Sequence, residues 1–302
     1  MRTGFIFGSL LAAAGLASSQ LIAQNATPAP LPASAEWAPD AAPRDGSVYR
    51  IALLADVHID LTGQGDSVRF LPHLQTTIRQ VNDANVDLVL IAGDLSNYGK
   101  KPEWADFRTR IQDFHAPVLY VPGNHDIANK LNSGKNAGVV TSEAYAKYAA
   151  EMGPGFFVKE VAGIRAIGIA GSLLDSGLPE EDQQWAMLEK ALGDRSSLPT
   201  VVFSHYPLFA KSLDEPGGVY WNIEPEPRRR LLALMKQGGV AAFLAGHRHH
   251  PFLADAEGLP CIDAPSVAWG IPNGKQPEGW TLVALPKDGK GPVTSYIHYI
   301  PH

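Results

Sequence analysis

The sequence predicts an α/β fold in which two β-sheets lie face to face with helices outside them. Between about residues 48 and 121, short apolar runs alternate with segments whose apolar residues recur at helical spacing. That order implies parallel strands joined by right-handed crossovers. From about residue 156 onward, strand-like segments pair through short turns in a hairpin-like manner. Hydrophobic residues make up 45% of the 302-residue chain and charged residues 19%, which supplies a substantial core.

The folded part begins near Val48. Tyr49–Ala55 is a continuous apolar run and reads as a buried strand. Val68–Asn82 places Phe70, Leu71, Leu74, Ile78 and Val81 at helical intervals. Val86–Ala92 is a second predicted strand, Glu103–Phe114 a helix with Trp104, Phe107 and Ile111 on one face, and Pro117–Val121 a third strand. A helix follows over Ser142–Glu151, with Ser142 near its cap. Phe156–Val161 and Arg165–Ala170 form a strand pair turned at Ala162-Gly163. Then come a helix over Glu180–Leu192, a strand over Val201–Ser204, a helix over Pro227–Gln237 and a strand over Val240–Ala245. From Cys261 to His298 short strands alternate with turns.

Five of these strands end in the same way, with residues able to bind metal. Asp56-Val57-His58, Gly93-Asp94, Gly123-Asn124-His125-Asp126, Ser204-His205 and Gly246-His247-Arg248-His249 each follow an apolar run. Ligands of open α/β sheets sit at the carboxyl ends of strands, so five such ends imply one convergent site. In an extended segment residues i and i+2 share a side, which lets Asp56 with His58, and His247 with His249, reach one region. The glycines before Asp94, Asn124 and His247 permit tight turns and close backbone approach. The donor set is carboxylate, imidazole and one carboxamide with no thiolate, which suits Mn, Fe or Zn.

This series resembles the calcineurin-like metallophosphoesterases over about residues 48–285. Within them, Gly93-Asp94-Leu95-Ser96 and the arrangement of G-N-H-D are similar to the cyclic-nucleotide phosphodiesterase-like branch. The resemblance implies a four-layer α/β/β/α sandwich of two mixed sheets and a site for two divalent or trivalent metal ions. Asp56, His58 and His249 would hold the first ion, Asn124, His205 and His247 the second, and Asp94 would bridge them. It implies hydrolysis of a phosphate ester by a hydroxide shared between the ions attacking phosphorus. A small-molecule phosphodiester is the expected substrate, with a phosphomonoester as the alternative. His125 would face the phosphate and its leaving group. Asp126 would either orient His125 or only form the turn. Asn97 and Arg248 are candidate substrate contacts, set against a turn and a salt bridge respectively. Two departures narrow the branch. Purple acid phosphatases carry a metal-binding Tyr three residues after the bridging Asp, where this chain has Asn97, and they lack the His that is present here as His58. Many cyclic-nucleotide phosphodiesterase-like relatives carry a second His where this chain has Tyr206. A scaffold of the same fold that no longer turns over is the competing class, disfavoured because all seven ligand positions are filled.

Charge narrows the partners. Lys and Arg number 25 against 31 Asp and Glu, a formal net charge of −6, and no basic run could grip a nucleic-acid polymer. Phe209, Tyr220 and Trp221, on the long stretch after His205, are expected to pack into a satellite core. Selectivity is expected to come from Ile127–Thr141 and Pro207–Pro225. Cys261 is alone and forms no internal disulfide. Residues 1–23 read as a signal peptide, with Arg2, an apolar run over Phe5–Ala17 and small residues at Ala17, Ser18 and Ser19. The run is short of the ~20 residues of a comfortable span, so the alternative, an uncleaved anchor, is second. Residues 24–47 read as an Ala/Pro-rich linker containing the sequon Asn25-Ala26-Thr27, and 48–302 as the catalytic domain. The expected location is secreted or periplasmic.

Overall fold

The structure is a computed structural model that describes residues 42–131, 138–193, 195–272, 275–289 and 291–301. The signal peptide, the sequon and most of the linker lie outside the described residues.

Eleven strands form two mixed sheets among the described residues. The first contains β1 (Val48–Leu54), β2 (Leu88–Ala92), β3 (Val118–Val121), β10 (Gly279–Pro286) and β11 (Thr294–Tyr299) in the order β11-β10-β1-β2-β3. β1, β2 and β3 are parallel, with Ile51 opposite Leu88 and Val89 opposite Val118. β10 and β11 add antiparallel on the other side. The second sheet contains β4 (Phe157–Val161), β5 (Ile164–Ile169), β6 (Thr200–Ser204), β7 (Ala242–Ala245), β8 (Phe252–Ala256) and β9 (Leu259–Asp263) in the order β4-β5-β6-β7-β9-β8. Its four inner strands are parallel and both edges antiparallel.

β2 and β6 are buried at every residue, as expected for parallel strands covered on both faces. Between the sheets, Ile51, Leu53, Leu90, Phe203 and Leu244 form one core with no exposed surface. The outer face of the first sheet packs with α1 (Phe70–Ala84), α2 (Lys101–Arg110) and α4 (Ser142–Met152), through residues such as Leu74, Trp104 and Tyr148. The second sheet is covered by α5 (Pro179–Leu192) and α6 (Pro225–Gly238), through Trp185, Leu188 and Leu231. The layers are therefore α/β/β/α.

Helix ends follow local chemistry. α1 stops at Asn85, which adopts the left-handed conformation (φ 50°) that lets it cap the helix. The cap of α4 is Thr141, whose hydroxyl accepts from Ala144 N at 3.1 Å. Ser142 is the first helical residue instead, and its hydroxyl donates to Glu180. Two elements differ from expectation. Asn124–Ile127 winds into a single helical turn, α3, immediately after β3. Phe252–Ala256 is an edge strand, whose half-exposed, alternating side chains give a weak apolar signal. No described helix is long and apolar enough to cross a membrane.

Candidate metal centre

All seven predicted ligands follow the carboxyl ends of strands: Asp56 and His58 after β1, Asp94 after β2, Asn124 after β3, His205 after β6, and His247 and His249 after β7. They are brought together across both sheets, because His205 Nδ1 donates to the Ala92 carbonyl at 2.8 Å and Asp56 Oδ2 accepts from His247 N at 3.0 Å. Each is buried, with at most 7% exposure. Close approach demands glycine at the joints. A Cβ at Gly93, whose φ is +83°, would lie 2.6 Å from that of His205, and one at Gly123 would overlap the Asp94 carboxylate.

The alternation expected for Asp56-x-His58 and His247-x-His249 is not how they converge. These residues are not extended. Asp56, His58, Asp94, His247 and His249 all have positive φ, between 46° and 69°. A left-handed step at each turns the chain so that neighbouring ligands face the site, at a strain of about 1–3 kcal/mol per residue. Hydrogen bonds from Asp56 N to the Gly93 carbonyl (3.0 Å) and from His58 N to the Asp94 carbonyl (2.8 Å) hold the turned segments.

The ligand atoms fall into two groups that share Asp94. Asp56, His58, Asp94 and His249 offer atoms within 4.8 Å of one another, as do Asp94, His205 and His247. His249 Nε2 is 3.1 Å from Asp56 Oδ1, and Asp94 Oδ2 lies 3.5 Å from His58 Nε2 and 3.3 Å from His205 Nε2. Asn124 joins the second group, its Oδ1 3.0 Å from His205 Nε2, which is also 3.0 Å from His247 Nδ1.

Carbonyl acceptors fix which nitrogen of each ring faces inward. Nδ1 of His205 and of His249 donate to Ala92 and Trp269 carbonyls, leaving Nε2 for the site; His247 Nε2 donates to the Tyr220 carbonyl at 3.2 Å, leaving Nδ1.

The residues fit a pair of cations. His58 Nε2 is buried and has no hydrogen-bond partner, a cost that a metal ion removes. Burial, together with neighbouring imidazoles, holds the pKa of His58 and of His247 well below the usual histidine range, so both present neutral lone pairs. Burial opposes a charge on His205 as well, but the Asp94 and Asp56 carboxylates outweigh it and push that ring up to about 9. The carboxylates thus favour positive charge in a buried site, and the carboxylate, imidazole and carboxamide donors suit a metal ion in that role.

A calcineurin-like phosphoesterase family model matches residues 49–251. The chain belongs to this family. Serine/threonine-protein phosphatase CPPED1 of Homo sapiens is 23% identical over 209 residues, 65% of this chain and 63% of that protein. The chain therefore spans less than two thirds of the length of that relative. A probable cyclic nucleotide phosphodiesterase of Synechococcus is 23% identical over 262 residues, 85% of this chain and 94% of that one. Among solved structures, a dimetal phosphatase from Danio rerio aligns with a TM-score of 0.52 at 13% identity, covering 83% of this chain and 99% of that one. At that identity the likeness is one of fold.

Around the candidate ligands, the structure decides between the alternatives left open for Asp126, Asn97 and Arg248, against a catalytic or substrate role for each. Asp126 does not orient His125. Its carboxylate turns inward and accepts from Leu95 N, Ser96 N, Ser96 Oγ, Trp104 Nε1 and Gly123 N at 2.7–3.1 Å, tying the turns after β2 and β3 together. His125 is instead positioned by the Asn97 carbonyl, which accepts from Nδ1 at 2.7 Å. The Asn97 side chain is committed to Asp60, donating at 2.9 Å, so it serves the loop and not a substrate. Arg248 likewise turns to Asp263 at 3.5 Å and to His250, with its guanidinium 4.1 Å over the Phe252 ring.

The long loop after β6 divides. Phe209 joins the core of the second sheet as expected. Tyr220 and Trp221 do not: their rings lie 4.7 Å and 5.5 Å from that of His247, and the Tyr220 hydroxyl accepts from Asn124 Nδ2 at 3.3 Å. Trp269, unremarked in the sequence, covers the first group, 4.1 Å from the His58 ring and stacked on Phe70 at 5.0 Å. Nothing near Trp269 in the chain binds metal, and only the fold brings it there.

Proposed function

We propose that this protein is a dinuclear-metal-dependent hydrolase of phosphate esters, with small-molecule phosphodiesters as its first substrates. The support is the sharing of Asp94 between two buried donor groups, one completed by Asp56, His58 and His249, the other by Asn124, His205 and His247. Two bound ions would supply positive charge to polarise the phosphoryl oxygens and an activated water as nucleophile. The chain's own contribution is placement. Asp94 holds both donor groups to one spacing. His125, with Nδ1–H donated to Asn97, presents Nε2 for the proton of the leaving group. Burial of the ligands excludes bulk water and strengthens every charge interaction within the site.

The diester preference draws on the Synechococcus relative, which aligns over 94% of its length and carries a phosphodiesterase name. A phosphomonoester reading has support in the phosphatase name of the human relative, which aligns over less of its length. Tyr206 stands where many cyclic-nucleotide phosphodiesterase-like relatives have a second His, so cyclic nucleotides are one member of the diester class to assay and not its default. Removal of residues 1–23 and a secreted or periplasmic location complete the proposal, resting on the apolar run Phe5–Ala17 and the small residues after it; N-terminal sequencing of protein from cell fractions tests this.

The deciding experiment reconstitutes purified protein with Mn, Fe or Zn, measures metal per chain, and assays cyclic nucleotides, glycerophosphodiesters, phospholipids and monoesters side by side. Two ions per chain with diester turnover is the expected result. Two ions with no turnover of any ester would favour the scaffold reading, and a single ion under every condition would end the dinuclear proposal.

A further inference from the structure

Among the described residues, six large hydrophobic side chains are substantially exposed: Leu61, Val68, Tyr98, Leu131, Val139 and Leu253. Isolated exposed hydrophobics are ordinary on a protein surface. Their concentration here is not. Leu61 and Val68 follow β1, Tyr98 follows β2, and Leu131 and Val139 follow β3, so five of the six stand on the loops that carry the metal ligands of the first sheet. Only Leu253, on β8, lies elsewhere.

Hydrogen bonds between neighbouring residues tie together the loops that bear these five, which form an interrupted apolar rim. The Thr62 and Ser67 hydroxyls approach to 3.4 Å, linking the neighbours of Leu61 and Val68. Asn97 Nδ2 donates to Asp60 and Asn97 N to the Ile59 carbonyl, which ties the segment bearing Tyr98 to the one bearing Leu61. Tyr98 shares a cavity of about 300 Å³ with Ala128, Asn129 and Gly138, and His125 lines the same cavity. Asn129, which lines this cavity, forms an isolated bridge with Val139. On the other flank, Phe70 follows Val68 and stacks on Trp269, which covers His58. The exposed apolar residues therefore flank both the first donor group, through Phe70 and Trp269, and the cavity at His125, through Tyr98.

We propose, resting on the phosphoesterase reading above, that the substrate is an amphiphilic phosphate ester whose hydrocarbon chain lies against this rim while its phosphate reaches the ligands. A small ester that is polar all round would leave the five side chains in water. An alkyl or acyl chain would remove them from it together with its own surface, and the position of the rim around a phosphate site sets the polarity of the molecule: charge inward, chain outward.

The first test uses the wild-type protein. Methyl-, butyl- and octylphosphonate, used as non-hydrolysable probes below their aggregation limits, are titrated into the metal-loaded protein by calorimetry. The corresponding alkyl p-nitrophenyl phosphodiesters are assayed in parallel. A methylene buried on a half-exposed rim should tighten binding about twofold, so octyl should exceed methyl by well over tenfold, with kcat/KM rising through KM. Affinity independent of chain length overturns the inference, and if the methyl ester is still hydrolysed the phosphoesterase reading stands without it. Affinity that rises with chain length while no ester is hydrolysed supports the amphiphile and sinks the catalytic reading. In a Leu61→Ser, Val139→Ser double variant, the octyl-to-methyl ratio, taken within that variant, should fall about tenfold or more; an unchanged ratio places the chain elsewhere and overturns the assignment to the rim.

Discussion

Asp56, His58 and His249 are held by hydrogen bonds to backbone at the strand ends, whereas the side chains of Asn124 and His247 share one further partner, Tyr220, on a long loop. In the first group, Asp56 N and His58 N donate to the turn after β2, the Asp56 carbonyl accepts from Ala268 N, and the His249 ring donates to the Trp269 carbonyl at 2.7 Å. In the second, Tyr220 supplies both its hydroxyl to the Asn124 amide and its carbonyl to His247. An Asn must present its oxygen to a cation, and donation of Nδ2 to Tyr220 selects that orientation. The loop bearing Tyr220 is anchored in turn by Arg228, which donates to the Leu213 and Ile223 carbonyls, and by the buried Lys130–Glu224 ion pair. The first donor group is thus fixed by the strand ends, and the second, though His205 is tied to Ala92 and His247 N to Asp56, also depends on a loop for the orientation of Asn124 and His247. A difference in metal affinity between them is the expected consequence.

Four measurements bear on that comparison. Asp94→Ala removes the group common to both sites, so metal content should fall at both and turnover by on the order of 10³-fold or more; retention of one tight ion would mean the sites are independent. His125→Ala should lower turnover by roughly 10²–10⁴-fold with two ions still bound by elemental analysis, and metal loss would show that His125 is a ligand. Tyr220→Phe keeps the carbonyl but loses the hydroxyl. Weaker binding of one ion by about tenfold, with the other unchanged in competitive chelator titration, is expected; equal weakening of both would dissolve the distinction. The smallest effect lies away from both sites. Burial, with Arg50 nearby, pushes His298 down to about 4, and its ring stacks on Trp280 at 4.2 Å. Its folded pKa lies below its ordinary 6.5, so the stability it contributes is complete above that pH and declines as pH falls toward 4. Melting temperatures of wild type and His298→Phe should diverge over that window and nowhere above it.

Much of the fold was legible because buried parallel strands are short apolar runs bounded by turn residues, as at Leu88–Ala92 and Thr200–Ser204. β8 was not, because an edge strand with alternating exposure carries few apolar residues. That the seven candidate ligands converge was legible because strand ends are where such a sheet gathers them. Their backbone was not: nothing in Asp56-Val57-His58 distinguishes an extended segment from a left-handed one, and the tight joint with the next strand's turn decides it. Between the two readings of Asp126 the sequence could not choose, for a related reason. Adjacency to His125 suggested a partnership, yet in a helical turn successive side chains point apart, and Asp126 faces five donors on the inner side. Tyr220 and Trp269 reach the site from loops with no local signature.

The left-handed backbone at five of the ligand positions also constrains what could ever replace them. Branched side chains such as Ile, Val and Thr are ill suited to that conformation, while Gly, Asn and Asp tolerate it. A library randomised at Asp56, His58, Asp94, His247 and His249 and sorted only for soluble expression should therefore return glycine and asparagine ahead of any hydrophobe. The mutational neighbourhood of this centre would be narrow on grounds of shape before chemistry is ever selected.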